Sequence, residues 1–168
     1  MGRRRKGGGR ESVPSFFDSW QVHWFAAVPL AVMNRRGSPV LPPFDALSKA
    51  SLRLLADGLL VEDAAAVAQC VLFIEAETLG LWHGRARAMM SRRLKHRSVT
   101  TEQRDRLLNV ITRRLLSGQF SEQFKDQLRL ALYLDADRVY DAAEQGLRQP
   151  AEHVRRYAAW ILLHKRGK

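Results

Sequence analysis

The sequence predicts an all-α protein of about seven helices, arranged either as helical repeats or as an irregular helical bundle. Three observations support this prediction. The helix-favouring residues Leu, Ala, Arg and Glu are abundant, whereas β-branched residues are few. Segments with apolar residues at helical spacing follow one another and are separated by capping residues and glycines. The 168 residues, of which 46% are hydrophobic, suffice for a domain that buries roughly 70% of its unfolded surface.

Composition divides the chain into three parts. Residues 1–12 are a predicted flexible basic tail, because a segment of cations and glycines cannot bury apolar surface. Residues 13–43 contain a predicted aromatic helix, which begins near Ser15, and a Pro-rich linker. Residues 44–168 form the predicted α-helical domain.

Start and stop signals place the helices of this domain. Asp45 is the predicted cap of the first helix, and the helix over 62–78 is apolar nearly all round, so we expect it to be central. The first three predicted helices lie over 46–56, 62–78 and 81–96. The fourth begins at a capping box of Thr100 and Gln103 and ends at Gly118. The last three begin after Ser121, after Asp135 and at Pro150.

An apolar segment over 20–33 raises the question of a membrane. Its 14 residues, interrupted by Pro29, fall short of the ~20 residues that a membrane-spanning helix needs. The segment also lacks the Lys and Arg residues that interfacial helices carry on their polar face. We therefore predict a core helix kinked at Pro29, and we expect no membrane partner.

The net charge of +11 predicts an anionic partner, for which nucleic acid, an acidic protein and anionic lipid are all candidates. Only six of the 28 basic residues are Lys, and the Arg guanidinium is the better bidentate partner for phosphate or carboxylate. A codon bias would produce the same excess of Arg.

The single cysteine, Cys70, excludes an intrachain disulfide and a Cys-rich metal site, and its apolar neighbours predict a buried thiol.

The last predicted helix resembles the second helix of a HEAT-type repeat. Its matching residues are Pro150, Val154, Arg155, Ala158, Ala159 and Leu162, and one repeat earlier Gly118, Phe124, Lys125, Leu128 and Leu132 match the same pattern. The resemblance covers about 65 residues and lacks a third clear copy, although at least three stacked repeats usually form a core. It implies a helical array that binds protein or nucleic acid on one face.

Two groups of cations are the candidate nucleic-acid-binding residues. The first is the tail, with Arg3, Arg4, Arg5, Lys6 and Arg10. The second lies between residues 85 and 114, where ten cations face only two acids, and its candidates are Arg85, Arg92, Arg93, Lys95, Arg97, Arg106, Arg113 and Arg114. If the two helices that carry the second group are adjacent, its rows form a positive strip that follows a phosphate backbone. The alternative is a solvated face that acids on neighbouring helices neutralise.

The sequence gives little support for catalysis. The five histidines have no metal-ligand spacing, and Asp137 and Asp141 on one helix face have Arg138 and Arg148 close by as ion-pair partners. There is no Gly-rich phosphate loop between a strand and a helix. We therefore expect a protein that is not an enzyme and holds no cofactor or metal.

The predicted function is backbone-directed binding of RNA or DNA, as a subunit of a larger nucleoprotein assembly that includes protein partners. No base-reading motif is visible, and no secretory signal is found, so a cytoplasmic protein is expected. The alternative is a HEAT-like scaffold that binds an acidic protein, with Trp20 and Trp24 as its partner-binding anchors.

Overall fold

A computed structural model describes residues 32–33, 39–40, 44–61, 63–120 and 123–165 of the chain. The chain divides into two compact units, residues 1–42 and 43–168. In the first unit, strand β1 (Val32–Met33) pairs antiparallel with strand β2 (Pro39–Val40), so that Val32 lies opposite Val40. The predicted helix over 20–33 is therefore wrong at its C-terminal end, because this pairing holds the backbone there extended.

The second unit confirms the all-α fold class. Its described residues form seven α-helices, with short 3₁₀ turns at Phe44–Ala46 and Leu59–Val61. The helices are α1 (Lys49–Gly58), α2 (Ala64–Glu75), α3 (His83–Leu94), α4 (Thr101–Ser117), α5 (Phe124–Leu134), α6 (Ala136–Gly146) and α7 (Glu152–Lys165).

Three of the predicted helix boundaries are confirmed in atomic detail. Thr100 and Gln103 form the capping box of α4, in which each side chain accepts a hydrogen bond from the other residue's backbone N–H. Gly118 ends the same helix in the left-handed conformation, with φ of 73°. Asp135 caps α6 by accepting a hydrogen bond from the backbone N–H of Arg138.

Other boundaries differ from the prediction. Ser48 caps α1, because the predicted cap Asp45 lies in the preceding 3₁₀ turn. Helix α2 ends at Glu75, three residues before the predicted end, because Ala76 is extended and arginine side chains bind the carbonyl groups that follow the helix. Pro150 lies two residues before the start of α7, and the predicted cap Ser121 lies outside the described residues.

The helices form two layers. Helix α1 packs against α3 and α3 against α5, while rings and cations on α5 contact rings on α7. In the same way α2 packs against α4 and α4 against α6. We call α1, α3, α5 and α7 the odd-numbered layer and α2, α4 and α6 the even-numbered layer. Because each helix neighbours the next but one, residues far apart in sequence share a surface.

The core lies between these two layers. Phe73, Ile74 and Cys70 of α2 are fully buried, and α2 packs against α1, α3 and α4, as its apolar sequence predicts. Helix α4 packs against four helices, α2, α5, α6 and α7, because it is the middle member of its layer. In α7, Val154, Tyr157, Ala158 and Ile161 are buried, whereas Leu162 is half-buried.

Candidate nucleic-acid interface

The predicted positive strip does not form as one surface, because its two helices belong to different layers. Helix α3, which carries Arg85, Arg92 and Arg93, packs mainly against α5, α1 and α2. Helix α4, which carries Arg106, Arg113 and Arg114, packs mainly against α6, α2, α5 and α7. The two cationic rows therefore have to be considered separately.

Three of the four basic residues of α4, Arg104, Arg106 and Arg113, are paired with acids. The Nε atom of Arg106 lies 2.7 Å from Oε1 of Glu75, and Nη2 of Arg113 lies 2.7 Å from Oε1 of Glu77. Hydrogen bonding to Glu75 raises the pKa of Arg106 further. Arg104 pairs with Asp135 at 3.4 Å. This half of the strip matches the alternative interpretation, in which neighbouring acids neutralise the face.

Two arginines are buried at the C-terminal end of α2. Arg87 Nη2 donates to the carbonyl oxygens of Ala76 and Thr78 at 2.7 and 2.8 Å. Arg114 donates to the carbonyl oxygens of Glu75 and Ala76, both at 3.2 Å, and to Gln127. Burial lowers the pKa of Arg87 to about 10, with a further contribution from Arg114, so the Arg87 side chain remains charged at neutral pH. Burial also lowers the pKa of Arg114. Arg114, a predicted phosphate contact, is only 7% exposed and instead holds the end of α2 in place.

Three further candidates lie at the C-terminal end of α3 or just after it. Arg93 Nη1 lies 2.6 Å from Oδ1 of Asp57 on α1, and Arg97 donates to the carbonyl oxygen of Leu60 at 3.3 Å. Lys95 is half-buried and has no ion pair within the described residues. Arg93 and Arg97 thus attach the C-terminal end of α3 to α1 and to the 3₁₀ turn that follows α1.

The exposed face of α3 continues onto α5. Arg85 and Arg92 are both exposed and lie two turns apart, about 10 Å along the helix axis. Arg92 Nη1 lies 3.0 Å from Asp126 of α5, and the same carboxylate lies 3.1 Å from Arg129. Two guanidinium groups therefore share one acid, and the junction of α3 and α5 keeps a net positive charge.

Each end of this face carries a tryptophan with two cations over its ring. At one end, Lys49 Nζ and the guanidinium carbon of Arg85 lie 4.1 and 5.2 Å from the centroid of the Trp82 ring. At the other end, Lys125 Nζ and the guanidinium carbon of Arg129 lie 5.6 and 5.8 Å from that of Trp160. Both rings are half-buried. We call the face formed by Trp82, Arg85, Arg92, Lys125, Arg129 and Trp160 the Trp82–Trp160 surface.

Charge is distributed unequally between the two layers. The four helices of the odd-numbered layer carry eleven Lys and Arg residues against three Asp and Glu residues. The three helices of the even-numbered layer carry five against six. Two of the three acids in the odd-numbered layer, Asp57 and Asp126, each contact two arginines. The positive excess of the described helices therefore lies on the odd-numbered layer.

Four of the six residues of this surface were not predicted from the sequence. Lys125 and Arg129 lie four residues apart on the exposed face of α5, a spacing that was visible in the sequence but could not be connected to Arg92. Trp82 and Trp160 are not among the residues that the sequence predicts as site residues, because a tryptophan at helical spacing is usually part of a core. The two tryptophans lie on the same layer because α3 and α7 both belong to the odd-numbered layer.

The remaining predicted site residues lie outside the described residues. They are the tail cations Arg3, Arg4, Arg5, Lys6 and Arg10 and the two proposed anchors Trp20 and Trp24. The segment that contains them is basic: residues 1–43 hold seven Lys and Arg residues and two Asp and Glu residues.

The described part of the chain contains neither a metal-binding cluster nor a membrane-spanning helix. No group of three or more His, Cys, Asp or Glu side chains there is placed to hold a metal ion. No helix among the described residues has both the length and the apolar character that crossing a bilayer requires. Cys70 is buried, and burial raises the pKa of its thiol to about 12.

Comparison with known proteins gives no family for the chain. No protein-family model, no curated protein and no solved structure matches it. The Trp82–Trp160 surface and the charge difference between the layers are the features on which a function can be based.

Proposed function

We propose that the protein is a non-enzymatic, cytoplasmic nucleic-acid-binding protein that contacts the phosphate backbone through its odd-numbered layer, as a subunit of a larger nucleoprotein assembly. The observation that carries this proposal is the charge difference between the layers, eleven basic against three acidic residues on one and five against six on the other. A surface shaped only by solubility mixes both signs, whereas phosphate binding needs an excess of one sign.

The ion pairs support the choice of the odd-numbered layer. Arg104, Arg106 and Arg113 in the even-numbered layer each have an acid within 3.5 Å, so phosphate would have to displace a carboxylate. Arg85 and Lys125 instead lie over tryptophan rings. A solvent-exposed cation–π contact is weak, about 0.5–1 kcal/mol, so these two cations can bind phosphate as well. Arg85 and Lys125, which form no ion pair with an acid of the described residues, thus both lie on the Trp82–Trp160 surface.

The tail adds a second basic element to the proposal. Arg3, Arg4, Arg5, Lys6 and Arg10 place five cations within ten residues, a density typical of arms that bind nucleic acid. Their contribution is electrostatic and independent of sequence, and it adds to the affinity that the helices supply.

A salt titration tests this proposal. The affinity for labelled DNA and RNA should fall steeply as salt is raised from about 50 to 200 mM, because bound counterions are released. If about four phosphates are neutralised, the log–log slope is about −3 to −4. Replacing Arg3, Arg4, Arg5 and Lys6 with Gln in the full chain should make the slope shallower without abolishing binding. Absent binding, or affinity independent of salt, would contradict the proposal.

A second candidate function is a HEAT-like scaffold that binds an acidic protein. Packing of each helix against the next but one is typical of stacked helical repeats, and it favours this candidate. Leu79 and Leu81 between α2 and α3 are 97% and 88% exposed, and such apolar side chains are suitable protein anchors. Capture of a protein partner that survives nuclease treatment and is lost in Trp24→Ala would favour the scaffold over nucleic-acid binding.

A further inference from the structure

We infer that the Trp82–Trp160 surface binds single-stranded nucleic acid, with bases stacked on the rings of Trp82 and Trp160 and phosphates bound by the cations between them. This inference rests on the proposed function and deepens it by naming the substrate class. It depends on the two tryptophans, which backbone binding alone does not require.

The first ring is held at the N-terminal end of α3. Trp82 is half-buried, so its indole is anchored against the protein while part of it faces solvent. Lys49 from α1 and Arg85 from α3 approach this ring, with Lys49 Nζ 4.1 Å from its centroid. An anchored ring beside two cations has the elements with which single-strand-binding proteins hold a nucleotide, because the ring stacks on a base and the cations contact its phosphates.

The second ring repeats this arrangement at the other end of the layer. Trp160 on α7 is half-buried, and Lys125 and Arg129 from α5 lie over it. The imidazole of His164 lies 4.4 Å from the Trp160 ring at an interplanar angle of 59°. Two helices meet at each ring, α1 and α3 at Trp82 and α5 and α7 at Trp160, so each ring has a fixed position in the layer.

The cations over the rings are flexible and do not prevent stacking. Lys49, Lys125 and Arg129 are exposed, so their ends can move aside while remaining close to the incoming phosphate. Every base has an aromatic face that stacks on an indole ring, so this stacking does not depend on the nucleotide sequence. In a duplex the bases are stacked on one another and their faces are inaccessible to side chains. The rings therefore favour a single strand over a duplex.

Between the rings runs a path of cations. Arg92 and Arg129 share Asp126, which connects α3 to α5, and Arg129 also lies over Trp160 on α7. From Trp82 to Arg92 the path follows α3 for about 15 Å, and with helix axes about 8–10 Å apart the steps from α3 across α5 to α7 add about 16–20 Å. This length suits several nucleotides, within the site sizes of about 4 to 16 nucleotides that single-strand-binding domains show.

The test measures the affinity of labelled oligonucleotides for the full chain by fluorescence anisotropy. The probes are a 16-nucleotide single-stranded DNA, an RNA of the same sequence and the matching DNA duplex. We expect Trp160→Leu to weaken single-strand binding by about 5- to 100-fold, because one stacked base is lost, and Trp160→Phe to restore most of the affinity. Duplex affinity should change less than about 2-fold in both variants. The pair Trp82→Leu and Trp82→Phe should behave in the same way.

Comparison of Leu with Phe separates stacking from folding, because both variants remove the indole but only Phe keeps an aromatic ring. If the duplex binds as tightly as the single strand and both Leu variants bind the single strand as the natural chain does, the inference is wrong and the proposed function stands. If no oligonucleotide binds in a salt-dependent manner, the proposed function itself fails. A length series of the single strand, with affinity rising until both rings are reached, supports the inference further.

Discussion

The guanidinium of Arg92 on α3 lies 3.0 Å from the carboxylate of Asp126 on α5, although the two residues are 34 positions apart in the chain. Asp126 is largely buried and also contacts Arg129, so one acid is placed between two exposed arginines. The contact joins the α3 part of the Trp82–Trp160 surface to the α5 part. It also keeps the junction positive, because one carboxylate neutralises only one of the two guanidinium groups.

Asp126→Asn should therefore have opposite effects on binding and on stability. Removing the carboxylate frees Arg92 and Arg129 for phosphate, so nucleic-acid affinity at low salt should rise by about 2- to 10-fold. The free energy of unfolding should fall by about 1–2 kcal/mol, because charge-assisted hydrogen bonds are lost. Parallel binding and urea-unfolding measurements test this. Weaker binding by a folded Asp126→Asn protein would place the nucleic acid elsewhere.

Arg87→Ala should destabilise the fold strongly. Its Nη2 atom bonds the carbonyl oxygens of Ala76 and Thr78 and the Thr78 hydroxyl, which end α2 and hold the loop that follows. Losing these bonds should lower the free energy of unfolding by about 2–4 kcal/mol, because the carbonyl group of Thr78 loses its donor while Arg114 still binds that of Ala76. The control is Arg53→Ala, whose side chain is 77% exposed and lies 3.8 Å from Asp57, with an expected loss below about 0.5 kcal/mol. Equal losses in urea unfolding would contradict the assignment.

Gly118→Ala should destabilise the turn between α4 and α5. Gly118 has φ of 73°, and a Cβ atom there would lie 2.7 Å from Nε2 of His153. The backbone conformation alone should cost about 1–2 kcal/mol, and the contact with His153 should add to it. In a His153→Ala background the second contribution disappears, so the cost of Gly118→Ala should be smaller there. Thermal unfolding of the four proteins measures both contributions.

Cys70 should make stability depend on pH in alkaline solution. Burial raises the pKa of its thiol to about 12, while an unfolded thiol ionises near 9. Between these values only the unfolded chain loses the proton, so the contribution of Cys70 is complete below pH 9 and is lost as the pH rises towards 12. The loss is at most about 1.4 kcal/mol per pH unit. Urea unfolding at pH 8 and pH 10 should show a smaller loss of stability in Cys70→Ala, and the same loss in both proteins would contradict this.

Local features of the fold were predictable from the sequence, and long-range ones were not. The capping box at Thr100, the glycine at residue 118 and the cap at Asp135 act within a few residues, so the sequence is enough to place them. The cap of α1 was placed at Asp45 instead of Ser48, because both residue types suit a helix start. The early end of α2 depends on Arg87 and Arg114, which reach it from α3 and α4.

The sequence predicted that the candidate site is rich in arginine, but it did not predict where on the fold the site lies. A density of arginine between residues 85 and 114 was evident, but the sequence does not say which arginines meet an acid from another helix. Arg106 meets Glu75 and Arg113 meets Glu77, each across more than 30 residues, and Arg114 is buried. Arg92 instead joins Arg129 through Asp126, which is why the surface extends to α5 and α7.

The most direct test compares two matched pairs of substitutions, each of which lowers the net charge from +11 to +9. Lys125→Gln with Arg129→Gln removes two cations of the odd-numbered layer, and Arg104→Gln with Arg113→Gln removes two of the even-numbered layer. The salt dependence of single-stranded DNA binding is measured for both. We predict that the first pair weakens binding about 10-fold or more and reduces the log–log slope by about 1.4, and that the second pair changes affinity less than about 2-fold. Equal loss from both pairs would contradict the assignment of nucleic-acid binding to the odd-numbered layer.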